Sequence, residues 1–243
     1  MITSFPGGTS LTGLDVYSDA APDGICGGSP HVHLASTEAY LVVAGRGALH
    51  AIDRDGYRET PLEAGSVVWF TPGTVHRAVN EGGLRVIVLM SNVGLPEAGD
   101  AVLTFPAEIV ADAEAYTSAS ALGEADGRAE RASARRDLAV AGFEQLRDAV
   151  RGGDAAALET FYAAAVARVR SRAREWPALI ADGPLAQARR ALDVAEAVAA
   201  GSTQHLGEAQ LQSTTGSTGE RLFGMCGRLR TYDITLDPQE NPL

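Results

Sequence analysis

Three of the five histidines fall in two short segments. His31-Val32-His33 is followed by Glu38 and Gly45; Gly65 is followed by Pro72-Gly73-Thr74-Val75-His76 and then Asn80. In an extended strand residues i and i+2 point to the same side, so His31 and His33 can aim two imidazoles at one point. Glu38 falls at the start of the next strand, beyond a short connection. Pro72-Gly73 makes a tight turn that can bring His76 back toward the pair. Three neutral nitrogen donors and one carboxylate form a donor set for a divalent metal, with room left for water or substrate. Such an ion polarises a carbonyl or hydroxyl, or, as iron or manganese, activates dioxygen.

Other side chains carry two readings each. Tyr40 shares the parity of Glu38; it lines the cavity near the metal or serves as a core aromatic. His50 is either a cavity acid–base group or an ordinary strand histidine, and the second is expected. Trp69 and Phe70 point to opposite faces of one strand, so one of them is core or a dimer contact, and the residues around Trp69 shape the pocket. Cys26 precedes His31 by five residues and is expected to be a small buried residue, not a fifth ligand. Arg77 and Arg85 either bind an anionic substrate or lie on a solvated face, and the solvated face is expected. Arg168, Arg170, Arg172 and Arg174 alternate along a helical stretch, which scatters them around the helix and forms no basic stripe.

The elements that must position these groups change character near residues 100–125. Before that point, segments 42–43, 48–52, 67–70 and 84–90 are rich in β-formers. Gly45-Arg46-Gly47, Asp53-Arg54-Asp55-Gly56, Pro72-Gly73 and Glu81-Gly82-Gly83 punctuate them as turns. Short strands at this spacing predict an antiparallel barrel or sandwich. Beyond it the helical period takes over. A joining helical piece is expected over 107–116. Ala139, Phe143, Leu146 and Val150 share one face, and Gly152-Gly153 stops that helix. Asp154 caps the next, in which Leu158, Phe161, Tyr162, Ala165 and Val169 share a face. Pro177 should break or kink it after Trp176. A third helix should begin at Pro184, end at Gly201, and turn Leu185, Ala188, Leu192 and Val198 inward. Residues 213–219, Ser-Thr-Thr-Gly-Ser-Thr-Gly, read as a flexible connector, and 229–236 alternate weakly, as one last strand returning to the barrel would.

Composition narrows the chemistry. All 20 basic residues are Arg, against 31 acidic ones, for a formal charge of −11. Without Lys there is no P-loop lysine and no Schiff-base chemistry. The acidity is concentrated early: residues 1–120 hold 14 acidic residues and 5 Arg, residues 121–243 hold 17 and 15. No basic face for phosphate contacts is visible, so nucleic acid is not an expected partner. No apolar run is long enough to span a bilayer, and no signal peptide is expected. Cys26 and Cys226 fit a reducing compartment. The sequence thus reads as a soluble, cytoplasmic, bacterial protein.

The two histidine segments resemble the paired motifs of the cupin superfamily. Glu38 follows His33 after four residues and Gly45 follows Glu38 after six; Gly65, Gly73, His76 and Asn80 hold the spacings of the second motif. Two turn positions depart from the pattern. The opening glycine falls on Ile25, with Gly24 one residue early, and Pro72 lies directly before Gly73. The resemblance covers residues 24–92. It implies that His31, His33, Glu38 and His76 are metal ligands, the ion being Fe, Mn, Ni, Cu or Zn. It also implies a cupin-type β-barrel (double-stranded β-helix, jelly roll) over 1–105. An α-helical region of three to four helices over 106–205 makes the whole α+β, with 206–243 as connector and returning strand. The expected function is that of a metal-dependent enzyme on a small organic molecule, with an oxygenase favoured. The alternatives are an isomerase or epimerase, and a small-molecule-binding cupin without turnover. Tyr40 is the one catalytic candidate beyond the ligands, and a homodimer is expected.

Overall fold

The computed structural model describes residues 5–234. After a single turn at Pro6–Gly8 the chain lays down seven strands. They are β1 (Ser10–Val16), β2 (His31–His33), β3 (Glu38–Asp53), β4 (Gly56–Glu63), β5 (Val67–Phe70), β6 (Val75–Met90) and β7 (Ala101–Leu103). Two more arrive near the end of the chain, β8 (Leu222–Phe223) and β9 (Gly227–Thr231). All pair antiparallel, in the order β4-β3-β6-β1-β9-β8, with β5 on β3 and with β2 between β6 and β7. This is a double-stranded β-helix.

β3 and β6 are longer than the turn residues predict. Gly45-Arg46-Gly47 and Glu81-Gly82-Gly83 do not end strands; they lie inside β3 and β6, which run 16 residues each. Register shifts between Val42 and Gly47 bend β3 against β6 without ending their pairing, as a bulge does. Gly45 takes φ +73°, and a β-carbon there would stand 2.2 Å from the Gly83 carbonyl oxygen, so only glycine permits the bend. Asn80 holds the opposite side of it. Its Oδ1 accepts from the Gly82 and Leu84 amides, and its Nδ2 donates to the Val16 carbonyl.

The inner face of the barrel is packed by Tyr40, Val42, Leu49, Phe70, Leu84 and Val86, all buried. A second apolar layer forms on the outer face, where Val32, Ile52 and Val75 meet Phe143, Leu146, Leu158 and Trp176 from the helices. Burying each such side chain contributes about 1.5–3 kcal/mol.

Among the described residues six α-helices follow β7. α1 (Ala107–Ala111) and α2 (Ala113–Ser120) join at Asp112, whose carboxylate accepts from the Glu114 and Ala115 amides. α3 (Arg128–Arg151) and α4 (Ala155–Val169) are separated by Gly152-Gly153, and Asp154 caps α4 through the Ala156 amide. Ala139, Phe143 and Leu146 are buried, with Val150 packed beside them, as the spacing predicts.

The expected end of α4 needs correction. It stops at Val169, before Pro177, and a single turn at Arg172–Arg174 leads to α5 (Trp176–Ile180). Pro177 lies in the first turn of α5, where its missing amide has no helical partner to lose. Nor does Pro184 start a helix. It sits inside a wide π-turn, Ala181–Leu185, that continues into α6 (Ala186–Ala199) and accommodates the ring. The face proposed as inner on this helix points outward: Leu192 is 59% exposed, Leu185 and Val198 are exposed, and no residue of α6 is buried. α6 meets the rest of the chain at the Pro6–Gly8 turn, where Gln187 donates to the Phe5 carbonyl.

The stretch over 213–219 has no regular structure, and its Ser217 amide bonds the Thr231 carbonyl. β9 then pairs with β1, Leu14 opposite Leu229, so the barrel draws a wall from the last part of the chain. The weak alternation expected to reach Leu236 gives strand pairing as far as Thr231; Leu236 lies outside the described residues.

Candidate metal centre

Alternation on β2 turns His31 and His33 into the barrel and Val32 outward into the helix-facing layer. Pairing of β2 with β6 sets His76 directly opposite His31, and Glu38 is the first residue of β3. The four buried side chains each offer one donor atom, and these atoms lie within 4.8 Å of one another. Glu38 Oε2 stands 3.3 Å from His33 Nε2 and 3.2 Å from His76 Nε2.

The far side of each imidazole is engaged. His31 Nδ1 meets the Ser29 carbonyl at 3.0 Å and His76 Nδ1 meets the Thr74 carbonyl at 3.0 Å. A carbonyl only accepts, so in both rings Nδ1 carries the proton and the Nε2 lone pair is free for an ion. His33 Nδ1 is held at 2.9 Å by Asp100, whose second oxygen accepts from the Ser36 amide. His76 Nε2 and Glu38 Oε2 are buried and make no aligned hydrogen bond, although they are neighbours. Leaving such atoms unsatisfied costs about 1–3 kcal/mol each. A divalent cation among the four donors removes that cost, and the donor set fits one.

Burial and mutual contact set the electrostatics of the cluster. Burial, together with the neighbouring His76 and His33, holds the His31 imidazole well below its ordinary value. Burial alone would raise the Glu38 carboxyl, but His76 and His33 bring it below the usual carboxylate range. For His33 the burial effect is downward, and the Asp100 hydrogen bond with the Glu38 charge carries it above the ordinary value. Burial pushes the Tyr40 phenol well up and the Cys226 thiol up to about 12, so both keep their protons.

A cavity of about 210 Å³ opens onto His31, His33 and Glu38. Tyr40 lines it, wholly buried, with its ring edge toward His76. Phe70 packs on the His76 ring with centroids 4.3 Å apart. Of the pair Trp69 and Phe70, Phe70 is the core member, and Trp69 stands on the outer surface of β5, 72% exposed, because neighbouring strand residues face opposite ways. His50 faces outward too, buried beneath α3 and bonded to the Tyr57 hydroxyl at 3.0 Å. The solvated reading of Arg77 is overturned: it is 1% exposed, and its guanidinium pairs with Asp23 and donates to the Ile25 carbonyl. Arg85 is exposed, and half-buried Cys26 is not among the clustered donors.

Two contributors escape the sequence reading. Asp100 stands alone before a three-residue strand, with no local pattern to mark it. Cys226 lies 3.9 Å from His31 Nδ1 and 3.8 Å from the Tyr40 hydroxyl, but 195 residues from His31 in sequence, so no spacing rule finds it. The helical half also reaches the site: the Tyr162 hydroxyl of α4 donates at 2.6 Å to the Gly73 carbonyl, while the Gly73 amide donates to the His33 carbonyl. The turn before His76 is thereby braced from both sides.

Residues 19–91 match the family model of the cupin domain. No curated protein matches the chain. Among solved structures, a conserved protein with a double-stranded β-helix domain from Klebsiella pneumoniae is 23% identical over 37% of this chain and 68% of its own, with a TM-score of 0.26. A TDP-fucose-3,4-ketoisomerase from Campylobacter jejuni is 10% identical over 38% of this chain and 64% of its own (TM-score 0.32). An RmlC-like cupin protein from Desulfovibrio desulfuricans is 16% identical over 37% and 77% (TM-score 0.29).

Proposed function

We propose that this chain, whose residues 19–91 form a cupin domain, is a metal-dependent enzyme acting on a small organic molecule, with oxygenase chemistry as the leading reading. His31, His33, Glu38 and His76 would hold the ion. The observation that carries the proposal is the convergence of four buried donor atoms within 4.8 Å, two of them, Glu38 Oε2 and His76 Nε2, without an aligned hydrogen bond. A divalent ion there supplies Lewis acidity toward a bound hydroxyl or carbonyl and, as iron or manganese, access to dioxygen. The protein's own part is positional. Asp100 fixes the His33 ring, Ser29 and Thr74 fix the other two, and Phe70 closes the apolar side of His76. Tyr40 offers a protonated hydroxyl beside Glu38. Among the described residues, Glu97 is the one carboxylate on the lining outside the donor group, and it is exposed. That described lining holds no buried carboxylate base of the kind an epimerase uses, which supports the oxygenase over the isomerase.

The same proposal includes a homodimer and a reducing, cytoplasmic setting in which Cys26 and Cys226 stay as thiols. Among the described residues no helix is long and apolar enough to cross a membrane. The test is metal analysis of the purified protein, with oxygen uptake measured against phenols and diketones. Tightly held iron or manganese, and uptake abolished by His76→Ala, are expected. Complete metal removal without loss of ligand binding would overturn the assignment.

A further inference from the structure

The cavity above the four donors carries information about what enters it. Its walls are largely apolar, with Ser10 and Thr12 as neutral polar members: Leu14 comes from β1, Val88 and Met90 from β6, Leu229 from β9, and Met225 and Cys226 from the turn that leads into β9. Among the described residues no Arg lies on the lining. The cation beside the last wall, Arg135, is buried on α3 and donates at 2.7 Å to the Gly224 carbonyl. A phosphate or a dicarboxylate needs Arg, Lys or a helix N-terminus to balance it. Here a divalent ion would meet the Glu38 and Glu97 carboxylates, which leaves no net positive charge for a polyanion.

The space beside the donors is small, and it opens to solvent on one side. A cavity of about 150 Å³ lined by aliphatic and aromatic side chains takes benzene, and this one measures about 210 Å³. The last wall is also rigid. The Tyr17 hydroxyl joins Arg135 on the Gly224 carbonyl, and the Ser29 amide donates to the Met225 carbonyl at 2.8 Å. Gly28 lets the wall approach so closely that a β-carbon there would lie 2.4 Å from Cys226 Cα.

We infer that the cavity takes a neutral, one-ring or comparably small apolar molecule bearing a single oxygen donor, and that the C-terminal wall of Met225 and Leu229 sets its upper size. This rests on the metal reading of the donor group and narrows it to a substrate class. Phosphorylated sugars and nucleotide-linked sugars are excluded from that class.

The experiment uses the full chain loaded with metal, its metal content measured in the same samples, and ligand-detected NMR with phenol and with glucose 6-phosphate as probes. Saturable phenol binding and none by glucose 6-phosphate are expected. Filling the cavity by Leu229→Trp should raise the phenol Kd about tenfold or more, the scale of overpacking a filled site. Met225→Phe serves as a second variant, and retained metal and circular dichroism report that each variant is folded. Metal held but phenol not bound, or glucose 6-phosphate bound more tightly, overturns the substrate class and leaves the proposed function standing. No metal held overturns the proposed function, and the inference with it. Phenol binding that neither folded variant weakens overturns the assignment of the wall.

Discussion

β6 and α6 dispose of their side chains in opposite ways. From Val75 to Asn80 six consecutive residues of β6 are buried, the guanidinium of Arg77 included. One face looks into the barrel and the other is covered by the helices and by the loop that carries Asp23. Along α6 no side chain is buried, although its apolar residues recur at helical spacing. The difference lies in what covers each element, and β6 is enclosed on both faces. A helix satisfies most of its own amides, and α6 is held near its start, where Gln187 bonds the Phe5 carbonyl. Pairing alone does not bury a strand: β5 pairs with β3, yet its Trp69 is exposed.

The largest effect should come from the outer face of β6. Asp23→Ala leaves Arg77 buried without its carboxylate partner, which should cost about 3–5 kcal/mol in denaturant unfolding. An effect near zero would mean that the outer face is solvated, and β6 would then resemble α6. On the inner face, Asp100→Asn frees the His33 ring and should weaken metal affinity about 10–100-fold, measured by competition with a chelator, while the fold persists. His50 gives a smaller, pH-dependent effect. Burial beneath α3 holds its imidazole below the ordinary 6.5, so the unfolded chain takes up the proton first. Stability is full above that value and declines as pH falls through it. His50→Gln should flatten that decline in thermal unfolding followed from neutral to acid pH. The smallest effect belongs to α6: Leu192→Gln should change stability by no more than about 0.5 kcal/mol. A loss of about 2 kcal/mol or more would show that α6 is covered in solution and would erase the contrast.

Much of the inner barrel was legible because its signals are local. Period-two alternation aimed His31 and His33, and the glycine and asparagine positions marked the bends. The bends were misread as strand ends, since a bulge and a turn use the same residues, and only the partner strand decides between them. Strand parity also separates exposed Trp69 from buried Phe70 as expected. Arg77 differs from its expectation: charge suggests exposure, but the loop that carries Asp23 covers it. The helical faces of α3 and α4 were readable from their period. The outward face of α6 was not, because amphipathicity says that a face is apolar and not that anything covers it. Asp100 and Cys226 reach the donors through tertiary contacts alone.

The place of β9 at the end of the chain has a consequence for the order of synthesis. Chains emerge N-terminus first and fold in pieces as they do. The four donors are complete by His76, and their outer brace Asp100 follows soon after. The strand that carries Leu229 follows much later, Cys226 being 195 residues beyond His31. On the proposed metal and substrate readings, the residues that would hold the ion are made before those that would select a ligand. The last strand then finishes the barrel edge and the filter together.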